Sequence, residues 1–196
     1  MKFMKKVALV AATTLSLVCA ANAVAAPLQY DIKGTGSGSI GSYTFTNQAF
    51  DISFIGDAAA NPRLIDPLTL AKVTVNGFGT TTLNIATRVG VASNTVVYFS
   101  RSESIGGADL FDFFLDTPLY NLDSAFSLTG RNVFALTQFK NVDSTLGSLT
   151  FSSSSNVVFS SSAVAAVPEP ETYALLLAGL GLVGVVARRK TSKNAA

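Results

Sequence analysis

Asp109, Asp112, Asp116 and Asp123 form the densest group of carboxylates in the chain. Two carboxyl groups flanking one bond can act as acid and base in glycoside hydrolysis, and several carboxylate oxygens together can hold calcium. Asp109, Asp112 and Asp116 are the calcium candidates. Their spacing is not that of an EF-hand loop, which needs acids at alternate positions ahead of a glycine. In an extended strand Asp112 and Asp116 share one face with Leu110 and Phe114, while Phe111, Phe113 and Leu115 take the other. That alternation favours ordinary solvent-facing strand and turn acids, so neither a metal nor a catalytic role is the expectation.

Other chemistry is limited by residue type. The 196 residues include no His, no Trp and one Cys. Without His the commonest general base and the commonest transition-metal ligand are missing, and the serines of 152–155 and 160–162 have no Ser-His pair to join. Gly36-Ser37-Gly38-Ser39-Ile40-Gly41 matches a dinucleotide-binding string, with Asp57 some way beyond. That string works only when a helix N-terminus follows to face the pyrophosphate. Here the alternating segment Tyr43–Thr46 follows, so the glycines suit a hairpin or a closely approached strand and no cofactor is expected. Tyr30, Tyr98 and Tyr120 are the aromatics expected to offer stacking surfaces to sugars, although most Phe and about half the Tyr belong in a core.

The elements that would position these groups read as β throughout. Tyr43 and Phe45 alternate with threonines; Phe50, Ile52 and Phe54 alternate with Asp51 and Ser53; Ala71, Val73 and Val75 alternate with Lys72 and Thr74. Each is the period-two pattern of a half-buried strand. Asn76-Gly77 then marks a hairpin into Thr80–Ile85. Further strands are predicted at 95–100, 109–115, 132–138, 148–152 and 157–161, and residues 57–67 form the longest loop. An all-β fold follows, a single β-sandwich or curled antiparallel sheet over 26–159, with 160–167 as a linker.

The two ends belong to something else. Lys2, Lys5 and Lys6 precede an apolar stretch from Val7 to Ala20, and small residues crowd the positions after it. That order is a secretory signal peptide over 1–25, cut after Ala23 or Ala25, and Cys19 leaves with it. No lipobox surrounds Cys19. At the other end Pro168, Glu169 and Pro170 lead into an apolar run that Arg188, Arg189 and Lys190 close, leaving 191–196 as a tail. As a helix, residues 172–187 would cover roughly 24 Å at about 1.5 Å per residue, short of a hydrocarbon core of about 30 Å but able to span with thinning or snorkelling. The basic cluster then stays cytoplasmic as a stop-transfer signal. Over the whole chain 14 Lys+Arg face 12 Asp+Glu, a net +2. Residues 24–167 alone hold seven cations against ten anions, a net −3, which leaves no basic patch for nucleic acid.

Val-Pro-Glu-Pro-Glu-Thr-Tyr-Ala at 167–174, the glycine-containing apolar run and Arg-Arg-Lys together resemble the PEP-CTERM sorting signal of Gram-negative bacteria. Glu171 and Thr172 stand where many members have Ser-Thr or Ser-Ser, a minor departure. The resemblance implies export through signal peptidase and a precursor held transiently in the inner membrane. Processing by an exosortase, a membrane-embedded cysteine transpeptidase, would follow near Pro168-Glu169-Pro170, with final residence at the cell surface or in an exopolysaccharide matrix. For the exported middle the expectation is a non-catalytic surface or matrix protein. A carbohydrate-binding module is the alternative, and a polysaccharide-acting enzyme using Asp112 is a distant third.

Overall fold

The computed structural model describes residues 27–164 and 176–180. The chain divides into two units, Met1–Val164 and Ala165–Ala196. In the first, ten strands run β1 (Leu28–Ile40), β2 (Tyr43–Gly56), β3 (Leu64–Ile65), β4 (Lys72–Val75), β5 (Gly79–Thr82), β6 (Thr87–Ala92), β7 (Val96–Arg101), β8 (Asp109–Leu115), β9 (Phe126–Phe134) and β10 (Leu149–Ala163). A 3₁₀ turn, Glu103–Ile105, joins β7 to β8. In the second unit the described residues 176–180 are helical, and among the described residues no helix is long and apolar enough to cross a membrane.

All ten strands belong to one antiparallel sheet in the order β3-β6-β7-β8-β9-β10-β1-β2-β4-β5. Of the two all-β arrangements expected, the curled sheet is therefore the one formed. The curl follows from the packing of its inner face. Four strands separate β7 from β2 in the sheet, a distance of roughly 24 Å at about 4.8 Å per strand if the sheet were flat. Yet the rings of Phe54 on β2 and Phe99 on β7 stack with centroids 5.5 Å apart. Phe50 on β2 likewise meets Phe111 on β8 at 5.7 Å. The apolar positions of the period-two pattern have turned towards one another, giving one continuous core that a flat sheet could not enclose. One end is closed by the segment after β3: Leu68 N–H donates to the Thr87 carbonyl on β6, and Thr69 N–H to the Ile55 carbonyl on β2.

The glycine string lies in the interior of β1 and in the Gly41 turn, with no helix after it. Its physical reason is close approach. A Cβ on Gly38 would stand 2.0 Å from the Thr150 carbonyl oxygen and 2.9 Å from the Phe45 ring, and one on Gly36 would stand 3.0 Å from the Ser153 carbonyl. Gly34 and Gly36 also lie under the Phe50 ring. The string is thus a bare track over which neighbouring phenyl rings close the core. Gly38→Ala is expected to lower stability by about 1–3 kcal/mol, because the atom it meets is backbone of a paired strand and cannot swing away. A urea-unfolding midpoint unchanged from the parent would refute this.

Several predicted boundaries are corrected. Segments 43–46 and 50–54 are one strand, because Asn47 adopts a left-handed conformation (φ 49°) at a bulge and the β1 pairing continues past it. Segments 148–152 and 157–161 are likewise joined, since two register shifts in the β1–β10 ladder carry the serine run between them. The strand then continues to Ala163, so the first four residues assigned to the linker 160–167 are sheet. On the other side of the loop, β9 occupies Phe126–Phe134 rather than 132–138, and the hairpin strand after Asn76-Gly77 ends at Thr82.

Candidate functional site

The side chains capable of chemistry gather on the outer face of β7, β8 and β9. On β8 the inner positions Phe111, Phe113 and Leu115 are buried in the core, as the alternation requires. Asp112 points to the opposite face, where its cross-strand partners are Tyr98 on β7 and Phe134 on β9. Phe114, two residues along, is on the same face and pairs with Arg131. A bulge at Asn132 (φ 51°) gives β9 one extra residue between those two pairs, which turns Phe134 onto the face of Asp112.

Asp112 is the correction that matters most here. Expected to face solvent, it is only 4% exposed, and its Oδ1 has no hydrogen-bond partner. Burial raises its pKa to about 7, with the charge of Asp109 adding to the shift. Near neutral pH the group is therefore divided between a neutral carboxyl, which both donates and accepts, and a carboxylate, which only accepts. Asp109 is held differently, its Oδ1 accepting from the Ser100 hydroxyl at 2.8 Å. Asp116 stands apart, accepting from Arg131 at 2.5 Å and from the Thr129 hydroxyl at 2.8 Å. The three calcium candidates are thus committed to separate surroundings, and among the described residues no group of three or more acids, cysteines or histidines is placed to hold a metal ion.

Around this row the outer face is polar on one flank and aromatic on the other. Tyr98 lies across Gly90 of β6, with the Arg88 guanidinium 5.7 Å from its ring centre. Arg88 also pairs with Glu103 and donates to the Gly107 carbonyl, while Glu103 N–H donates to Asp66. On the other flank the rings of Phe114 and Phe134 lie 5.4 Å apart, 40% and 39% exposed. Neither phenylalanine was singled out as a site residue, yet a signal was present: consecutive Phe113-Phe114 in a strand must put one ring on each face.

The aromatics expected at the surface have different fates. Tyr30 is fully buried; its hydroxyl donates to the Leu122 carbonyl at 2.6 Å, and burial pushes its pKa up to about 12. Tyr98 is partly covered, and Tyr120 remains exposed. A second polar row crosses β1 and β2, where Lys33 lies between Asp31 (3.7 Å) and Asp51 (3.6 Å). Burial, together with Asp31, raises the Asp51 pKa against the opposing influence of Lys33. The residues read as targeting signals, Ala23, Ala25, Pro168, Glu169, Pro170, Arg188, Arg189 and Lys190, lie outside the described residues.

The molecule is thus a curled β unit followed by a separate C-terminal segment, the arrangement of a domain carrying its own address. Residues 166–190 match the family model described as the PEP-CTERM protein-sorting motif. The chain therefore carries a PEP-CTERM sorting motif, a feature that supports exosortase-targeted sorting. No curated protein and no solved structure matches the chain.

Proposed function

We propose that the β unit is a non-catalytic cargo, exported by its signal peptide, released from an inner-membrane precursor by an exosortase, and retained at the cell surface or in an exopolysaccharide matrix. The match of residues 166–190 to the sorting motif carries this reading. Pairing within the sheet continues to Ala163, so the Pro168-Glu169-Pro170 motif lies four residues beyond Val164, the last residue of the folded unit. Proline in general disfavours helix and restricts the residue before it to extended backbone, a form that a membrane protease can engage.

The test compares the protein's mass and location in its host with and without the exosortase, and after Pro168→Ala with Pro170→Ala. Processing predicts a lighter, surface-located product in the parent, and an uncut membrane-bound precursor in both other cases. A precursor of constant mass that stays in the inner membrane in every strain would sink the reading. Sequencing the mature N-terminus would place the signal-peptidase cut after Ala23 or Ala25.

A second reading, a carbohydrate-binding module, is favoured by one feature: two exposed phenyl rings beside a buried carboxyl on a single sheet face. It is compatible with the first, because a matrix protein needs something to hold.

A further inference from the structure

The Phe114–Phe134 shelf and Asp112 differ from the rest of the outer surface in two ways. The shelf leaves two large rings packed against each other and each about two-fifths exposed, on strands whose other outward residues are mostly polar or charged. Beside it, Asp112 keeps a carboxyl oxygen buried without a partner, although Phe134 is its direct cross-strand neighbour and Phe114 the next residue on its face. A buried polar atom left unpaired is costly, and an occupant that brings hydrogen-bond donors to it removes the cost. The shelf and the carboxyl are adjacent, so one occupant can serve both.

The chemistry of that occupant is constrained. A lipid chain would cover the rings but bury Asp112 still further without a donor. An anionic polymer would meet Asp109, Asp112 and Asp116, while the cations nearby, Arg131 and Arg88, already pair with Asp116 and Glu103. A sugar ring satisfies both requirements. Its C–H face lies on aromatic rings, and its hydroxyls donate to a carboxyl oxygen or accept from a protonated one. We infer that Phe114, Phe134 and Asp112 form a saccharide-binding site, in which a sugar ring stacks on the two phenyl rings and a hydroxyl engages the Asp112 carboxyl. The Arg131–Asp116 pair, one row along, forms the polar rim. The inference deepens the carbohydrate-binding reading and does not depend on the sorting event.

The test uses the mature protein as released by its host, with three probes: β-1,4-glucan oligosaccharides, chitosan oligosaccharides and dextran. Affinity electrophoresis and calorimetry read binding, and far-UV circular dichroism checks that each variant is folded. The parent binds at least one probe. Phe114→Ala and Phe134→Ala each weaken that binding by about tenfold or more, as loss of a central aromatic anchor does. Asp112→Asn weakens it less, and Leu146→Ala, an exposed apolar residue in the loop before β10, leaves it unchanged. Addition of the bound probe also shifts the Asp112 carboxyl ¹³C resonance in the parent. This second readout does not require any variant to fold. Failure of the parent to bind any probe overturns the inference. So does binding that survives in folded Phe114→Ala and Phe134→Ala variants, or binding of chitosan alone by charge with the shelf uninvolved. Mass and location of the same variants report sorting separately, so a correctly sorted protein that binds nothing refutes this site and leaves the sorting reading standing.

Discussion

Phe151→Ala is expected to destabilise the β unit by about 3–5 kcal/mol, the range for truncating a buried phenyl ring. Phe151 is 1% exposed and stands at the centre of the inner face. Its ring centre lies 5.6 Å from Phe45, 4.9 Å from Phe50, 6.0 Å from Phe111 and 5.0 Å from Phe139. Those partners come from β2, β8 and the connection between β9 and β10, so one side chain ties β10 to two strands that it does not pair with, while its backbone N–H donates to the Phe139 carbonyl. Gly36, beneath the same ring, has no side chain that could collapse into the space left behind. Against a typical total stability of about 5–15 kcal/mol, the loss removes about a fifth or more, and on a marginal background all of it. Urea unfolding of the β unit followed by far-UV circular dichroism measures the effect. Phe151→Leu, which keeps most of the volume, should recover more than half of the loss. A midpoint for the alanine variant within error of the parent would mean that the rings do not pack as described.

The same residues show what a linear reading can and cannot reach. Where a short apolar-rich run is bounded by turn residues the strand was legible, as at Asp109–Leu115, which is β8 from its first residue to its last. The left-handed asparagines were not legible. Asn47 and Asn156, with φ near 50°, sit in polar runs that read as breaks, and each is a bulge or kink inside one long strand. A bulge requires knowledge of the facing strand, because an extra residue has meaning only against a partner that lacks it. The same limitation hid the state of Asp112. Its outward position followed from alternation, but its cross-strand neighbours on that face are Tyr98 and Phe134, which are 14 and 22 positions away in sequence and adjacent only once the register is known. Tyr30 was misjudged for the same reason: the loop carbonyl that accepts its hydroxyl belongs to Leu122, across the molecule. The sorting segment could be read because its information is local. A protease and a membrane recognise order along the chain, and no tertiary contact is needed to write it.

Asp112 should also govern how stability changes with pH. In the unfolded chain its carboxyl titrates near the ordinary carboxylate value of 3.8, whereas burial, with Asp109 adding to it, raises the folded value to about 7. Between those values the folded state binds a proton that the unfolded state has lost. The folded state therefore loses stability as pH rises from about 4 to about 7, and the loss levels off above that. At about 1.4 kcal/mol per pKa unit, the difference across the window is on the order of 2–4 kcal/mol. The charged and titratable groups around it are Asp109 on the same strand, Tyr98 on β7 with Arg88 over its ring, and the Arg131–Asp116 pair one row away. Asp109 carries the charge that adds to the effect of burial. Asp112→Asn keeps the shape and removes the ionisation. It is expected to flatten this part of the stability profile and to make the protein more stable than the parent at pH 8. Asp51, also raised by burial, contributes a slope of the same sign from a separate row, so Asp51→Asn serves as the comparison and Asp51→Asn with Asp112→Asn should remove both contributions. Denaturant unfolding of parent and variants at pH 4, 5, 6, 7 and 8 decides the matter. If Asp112→Asn retains the parent's slope, the proton taken up on folding belongs to another group, and the buried carboxyl described beside the aromatic shelf would have to be exposed to solvent in solution.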